Sequence, residues 1–130
     1  MTLIVCLDDR NGMLFNNRRQ TKDSVLCEQI AALAGDKLFV NVYSSKLFPE
    51  ANVCQNPLAC ADEEGYCFVE DLDVLPYLHR AEKLIIYRWN RHYPADVTFP
   101  VCVLENWRLV EQTDFAGNSH DTITREVYVK

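Results

Sequence analysis

The sequence predicts an α/β sandwich built on a mostly parallel central sheet. Three observations carry that reading. Continuous apolar runs such as Leu3–Leu7 (LIVCL) and Leu84–Tyr87 (LIIY) are too short for helices and read as strands buried on both faces. Between them lies an amphipathic segment with helix signals at both ends. The C-terminal part instead alternates, Ile123, Val127 and Val129 against Thr124, Glu126 and Tyr128, as an antiparallel edge strand with one wet face does.

The first strand ends at Asp8-Asp9-Arg10-Asn11-Gly12, where Asn-Gly marks a turn. Met13–Lys22 shows no apolar period and is expected to be a surface loop. Asp23 or Ser24 caps a helix through Ala34, with Val25, Leu26, Ile30, Leu33 and Ala34 on one stripe. Gly35 stops it, because glycine tolerates a positive φ after a helix. Lys37–Val42 is a second buried strand, followed by a helical turn at Ser44–Phe48, and Glu50–Gly65 has no period. Tyr66–Val69 is a third strand. Asp71 or Asp73 then caps a two-turn helix with Val74, Leu75 and Leu78 facing inward and Pro76 in its first turn, where a missing N–H costs little. After the strand Leu84–Trp89, RWNRHYPAD leads outward and Asp96–Pro100 returns. Trp107–Phe115 and Ile123–Val129 form a hairpin whose connection includes Gly117-Asn118-Ser119. The 130 residues make one domain.

A formal net charge of −6 argues against nucleic acid and anionic membranes as partners. No apolar stretch approaches the roughly 20 residues of a membrane span. MTLIVCLDD lacks the basic start of a signal peptide, so the chain is expected to be cytoplasmic. The six cysteines form no C-x-x-C and have no histidine at ligand spacing, which favours structural thiols and no metal. His79, His92 and His120 fall in presumed surface segments. Arg18-Arg19 and Arg88–His92 read as solvated loops. Arg88, Trp89, Arg91 and Tyr93 combine residues typical of interfaces, offering a surface to a protein partner or a second copy; the alternative is a loop folded over its own edge.

Leu78-x-x-Ala81-Glu82-Lys83-Leu84, Ala95-Asp96-Val97-Thr98-Phe99-Pro100, Trp107, the Asn118-Ser119-His120 turn into the last strand, and LIVCLDDRNGM at the start stand in a particular order along the chain. Together these pieces resemble dihydrofolate reductase. The resemblance spans nearly the whole chain, shortened in the middle. It implies a three-layer fold with helices on both faces of a mostly parallel sheet and a C-terminal antiparallel hairpin.

The resemblance also implies NADPH as cofactor, and there the chain departs from the pattern. The family's Gly-Gly pair after the third core strand lets backbone approach the cofactor; here Val69-Glu70-Asp71-Leu72 stands instead. The family's Gly-Arg-x-Thr run reads Asn41-Val42-Tyr43-Ser44, leaving only Ser44 as a cofactor contact. Asp23 aligns with the catalytic acid, without the usual tryptophan and proline, and also reads as a helix cap. Val5, Cys6, Cys27, Val69 and Tyr87 would line the slot for a planar, pterin-like ligand. The expectation is a divergent relative without standard NADPH-dependent reduction, kept for small-ligand or protein binding. The alternative is a divergent NAD(P)H-dependent reductase with Asp23 as proton relay.

Overall fold

The computed structural model describes residues 1–130. In chain order the strands are β1 (Thr2–Leu7), β2 (Gly12–Phe15), β3 (Arg18–Arg19), β4 (Leu38–Val40), β5 (Asn52–Val53), β6 (Tyr66–Phe68), β7 (Lys83–Arg88), β8 (Val97–Thr98), β9 (Arg108–Phe115) and β10 (Ile123–Val129). The helices are α1 (Ser24–Ala34) and the single turn α2 (Pro57–Cys60), with longer 3-10 segments at Leu75–Arg80 and Val101–Asn106. Seven strands make the main sheet in the order β5-β4-β6-β1-β7-β10-β9. The pairings β4–β5, β4–β6, β1–β6 and β1–β7 are parallel, whereas β7–β10 and β9–β10 are antiparallel. The mostly parallel sheet and the C-terminal hairpin are therefore as the apolar runs and the final alternation predict.

Each face of the sheet buries its own cluster. One face packs Ile4, Phe68, Ile85 and Tyr87 against Leu26 and Ile30 of α1. The other packs Leu3, Val5, Leu7, Leu84 and Ile86 under Met13, Leu58, Val74 and Phe99. Alternation along β1 places Val5 on the second face, away from α1, so it does not belong to the expected ligand slot. Asp23 is the α1 cap, and Gly35 ends the helix at φ 57°, its N–H donating to the Ala31 carbonyl. The stripe of α1 is narrower than expected: Leu26, Ile30 and Ala34 are buried, and Leu33 is exposed. The segment after Asp73 is 3-10 rather than α-helical, and Leu75 points outward while Val74 is buried.

The expected surface loop at Met13–Lys22 is instead a hairpin, β2–β3, joined by β8 in a second small sheet. Asn16 and Asn17 both take positive φ, 54° and 60°, the backbone a two-residue turn between right-twisted strands requires. Asparagine tolerates that region better than other side chains. With β3 only two residues long and both of them arginine, no apolar alternation could announce it.

Candidate functional site

The carboxyl ends of β1, β6 and β7, on the α1 face, are where an open α/β sheet offers its ligand crevice. Cys6 ends that face of β1, Glu70 follows β6, and Trp89 follows β7. Two buried polar knots occupy this end.

The first knot centres on Glu70, only 9% exposed. Arg19, brought in by β3, donates to it through Nε at 2.8 Å and Nη2 at 3.0 Å, a bidentate pair. Ser44 Oγ donates to the same carboxylate at 2.7 Å. The Arg19 guanidinium lies 4.7 Å over the Tyr43 ring, and the Arg19 backbone N–H donates to the Tyr43 hydroxyl at 2.6 Å. Hydrogen bonding to Glu70 raises the Arg19 pKa further. Behind it, Asn41 Nδ2 donates to Asp71 at 2.8 Å, and the Ser44 N–H donates to Asn41 Oδ1 at 3.1 Å. Arg19 is thus no solvated loop residue. Ser44 is buried with its hydroxyl committed, not presented to a phosphate.

The second knot centres on Asp23, 1% exposed. Its Oδ1 accepts from the backbone N–H groups of Val25 (3.0 Å), Leu26 (3.2 Å) and Asn118 (3.0 Å). Oδ2 accepts from the Ser119 N–H at 2.7 Å and pairs with His120 Nδ1 at 3.1 Å. Five contacts match or exceed the roughly four lone-pair directions of a carboxylate. Burial alone would raise its pKa. The donors from Asn118, Ser119, His120 and Leu26 outweigh burial and hold it at about 2. A cap for α1 is thereby also the clamp on the turn before β10. Gly117 is required there, because a Cβ would sit 2.5 Å from Asp23 Oδ2.

His120 is buried at 3% exposure, not on the surface as its segment suggested. In the tautomer that carries its proton on Nδ1, the ring donates to Asp23 and its Nε2 accepts from the Tyr93 hydroxyl, 3.0 Å away. The imidazole stacks on Trp89, centroids 4.6 Å apart. The segment expected to face a partner is therefore folded over its own edge: Trp89 is buried, Tyr93 is tied to His120, and Arg88 pairs with Glu126 at 3.1 Å. Arg91 alone of the four is exposed.

Between the knots remains a cavity of about 20 Å³, room for roughly one water molecule, lined by Cys6, Cys27, Val69, Glu70, Phe68 and Trp89 among others. Cys6, Cys27 and Val69 thus meet as expected. Tyr87 does not line it; the ring is fully buried edge-on to Phe115, 6.1 Å away, and burial pushes its phenol up to about 12. Burial likewise raises the Cys27 thiol to about 11 and the Cys6 thiol upward, so neither is a ready thiolate. A much larger groove of about 790 Å³ lies outside. Cys27, Glu28 and Ala31 of α1 form one wall, Leu47–Ala51 the other, and Asn118 and Ser119 close one end. Sequence reasoning missed Arg19, Glu70 as its partner, and His120. The only signals were a carboxylate where the resemblance leads one to expect glycine, and the Asn-Ser-His turn.

No protein-family model matches the chain, and no curated protein matches it. Among solved structures, a dihydrofolate reductase from Enterococcus faecalis, complexed with NADP(H) and RAB-propyl, is similar over 98% of this chain and 94% of its own. The TM-score is 0.73 at 13% identity. The fold is dihydrofolate reductase-like. No helix is long and apolar enough to cross a membrane. The residues at the sheet's carboxyl end do not fit the cofactor that such a fold implies. Where a backbone approach through glycine is needed, the Glu70 side chain stands, held by Arg19 and Ser44.

Proposed function

We propose that this chain is a dihydrofolate reductase-like binding protein that does not carry out NADPH-dependent reduction. The observation that carries this reading is the Arg19–Glu70–Ser44 knot, which fills the crevice with mutually satisfied side chains. A nicotinamide and its phosphates would have to break a bidentate, mostly buried ion pair to enter, and breaking such pairs costs several kcal/mol. Asp23 supports the same reading. Held near pKa 2 with its lone pairs engaged, it is an anion that keeps two chain segments together, and it has no proton to relay at neutral pH.

The ligand of this reading is a small planar, pterin-like molecule held in the outer groove. Leu47, Pro49, Ala51 and Ala31 offer apolar surface to a ring, and the exposed Glu28 carboxylate offers acceptors to an amino-pyrimidine edge. A thermal-unfolding panel with NADPH, dihydrofolate and a free pterin tests it, alongside nicotinamide absorbance in the presence of dihydrofolate. A pterin at about 100 times its Kd should stabilise by about 2.7 kcal/mol, several degrees in Tm, and Glu28→Gln should reduce the shift. NADPH should neither shift the protein nor be oxidised. Stabilisation by NADPH, or its oxidation above background, would overturn the proposal.

A further inference from the structure

A second cleft lies on the outer side of the β2–β3 hairpin, away from the groove beside α1, with Arg19 of the first knot and Tyr93, the partner of His120, contributing to its wall. It has a volume of about 520 Å³ and is lined by Phe15, Asn16, Arg18, Arg19, Gln20, Tyr93 and Pro94. The register of the hairpin explains its chemistry. Phe15 and Arg18 are directly opposite in the β2–β3 ladder, so both side chains stand on one face. Leu14 and Arg19, the next pair, point the other way: Leu14 is buried, and Arg19 reaches Glu70. Alternation thus sends one arginine inward as a plug and its neighbour outward beside an aromatic ring.

Arg18 has no carboxylate partner among the ion pairs of the molecule. Of the two arginines that line this cleft Arg19 is committed to Glu70, so in a chain of net charge −6 Arg18 is its one unpaired charge, and no acid lines it. Asp96 accepts from the Asn16 N–H at 3.1 Å but does not line the cleft. Phe15 is 43% exposed and presents aromatic surface to the cleft. Tyr93 and Pro94 contribute further flat surface to the cleft. The phenol bond to His120 holds the Tyr93 ring in place. The Asn16-Asn17 turn fixes the hairpin that carries Phe15 and Arg18. The parts are preorganised.

We propose that this cleft binds a small planar anion, an aromatic or heteroaromatic ring bearing a phosphate or carboxylate. The ring packs among Phe15, Tyr93 and Pro94, and the Arg18 guanidinium fork takes the anionic group. The inference does not rest on the groove beside α1 or on the loss of reduction.

The test is titration of the full chain, by calorimetry and by amide NMR, with adenosine 5′-monophosphate, 2-naphthoate, adenosine and inorganic phosphate. Binding of the nucleotide or the naphthoate, with shifts centred on Phe15–Gln20 and Tyr93, is the expected result. Comparison of 2-naphthyl phosphate with 2-naphthoate, one ring carrying either anion, identifies phosphate or carboxylate as the preferred group. Arg18→Ala should weaken the bound anion about tenfold, the scale of one lost charge-assisted contact, and leave adenosine unchanged. Phe15→Ala should weaken every ring-bearing ligand alike and leave inorganic phosphate unaffected. Both side chains are exposed, so the variants should fold. Absence of binding by both anions overturns the proposal, and so does anion binding that Arg18→Ala leaves untouched.

Discussion

Asp23 and Glu70 are two buried carboxylates at the same end of one sheet, and they are neutralised by different means. Asp23 is satisfied by four backbone N–H groups and an imidazole. Glu70 is satisfied by a guanidinium and a hydroxyl, all side chain. Backbone donors exist only where the chain has the right path, so Asp23 is bound up with the fold itself. Side-chain donors can be replaced, so the Glu70 knot is a closure laid onto a fold that would stand without it. One knot makes the structure and the other decides what can enter it.

The largest effect that follows is from Asp23→Ala. It removes a helix cap, worth about 1 kcal/mol, and strands buried donors at about 1–3 kcal/mol each. A total near 4 kcal/mol is expected in denaturant unfolding, enough to threaten the folded state of a marginally stable chain. No second substitution should restore it, since the unsatisfied groups are main chain. A loss below about 1 kcal/mol would dissolve the distinction between the two carboxylates.

Arg19→Ala should cost less, about 3 kcal/mol, by leaving Glu70 buried with only Ser44 and the Asn41–Asp71 bond beside it. Here rescue is the sharper measurement. Adding Glu70→Gln removes the orphaned charge while keeping an acceptor for Ser44, and should recover more than half of the loss. Additive losses in the double variant would mean that the pair is not coupled and that the crevice is closed by something else.

The same contrast explains what was legible in the sequence. The strands of the main sheet announce themselves as short apolar runs, and the cap at Asp23 follows from its place just before an apolar period. Both are local signals. The partners of the two carboxylates are not local: Arg19 and Glu70 are 51 positions apart, and Asp23 and His120 are 97. Arg19 was hidden further by its neighbour. Two adjacent arginines look like one basic surface patch, and only strand alternation in an unannounced hairpin separates the buried one from the exposed one. His120 was hidden by its polar surroundings, Asn118, Ser119 and Asp121, which read as a solvated turn. In fact, the turn's N–H groups point inward at a carboxylate.

The smallest of the three effects is the dependence on acid, and it isolates Asp23 without mutation. Its pKa falls from an ordinary 3.8 to about 2 on folding, so the native state binds fewer protons than the unfolded chain between those values. Stability from this group is fully present above about pH 4 and is lost as pH falls through 2. The difference is worth about 2 kcal/mol. Asp8, held low by N–H groups of Gly12, Arg10 and Tyr93 against its own burial, contributes in the same direction. Asp23→Asn separates them: an unfolding series from pH 6 to about pH 2 should lose the Asp23 part of its slope in the variant and keep the Asp8 part. An unchanged slope would mean that the Asp23 carboxylate is not held low in the native state. The five contacts around it would then be those of a neutral acid, and the proton-relay reading would have to be reopened.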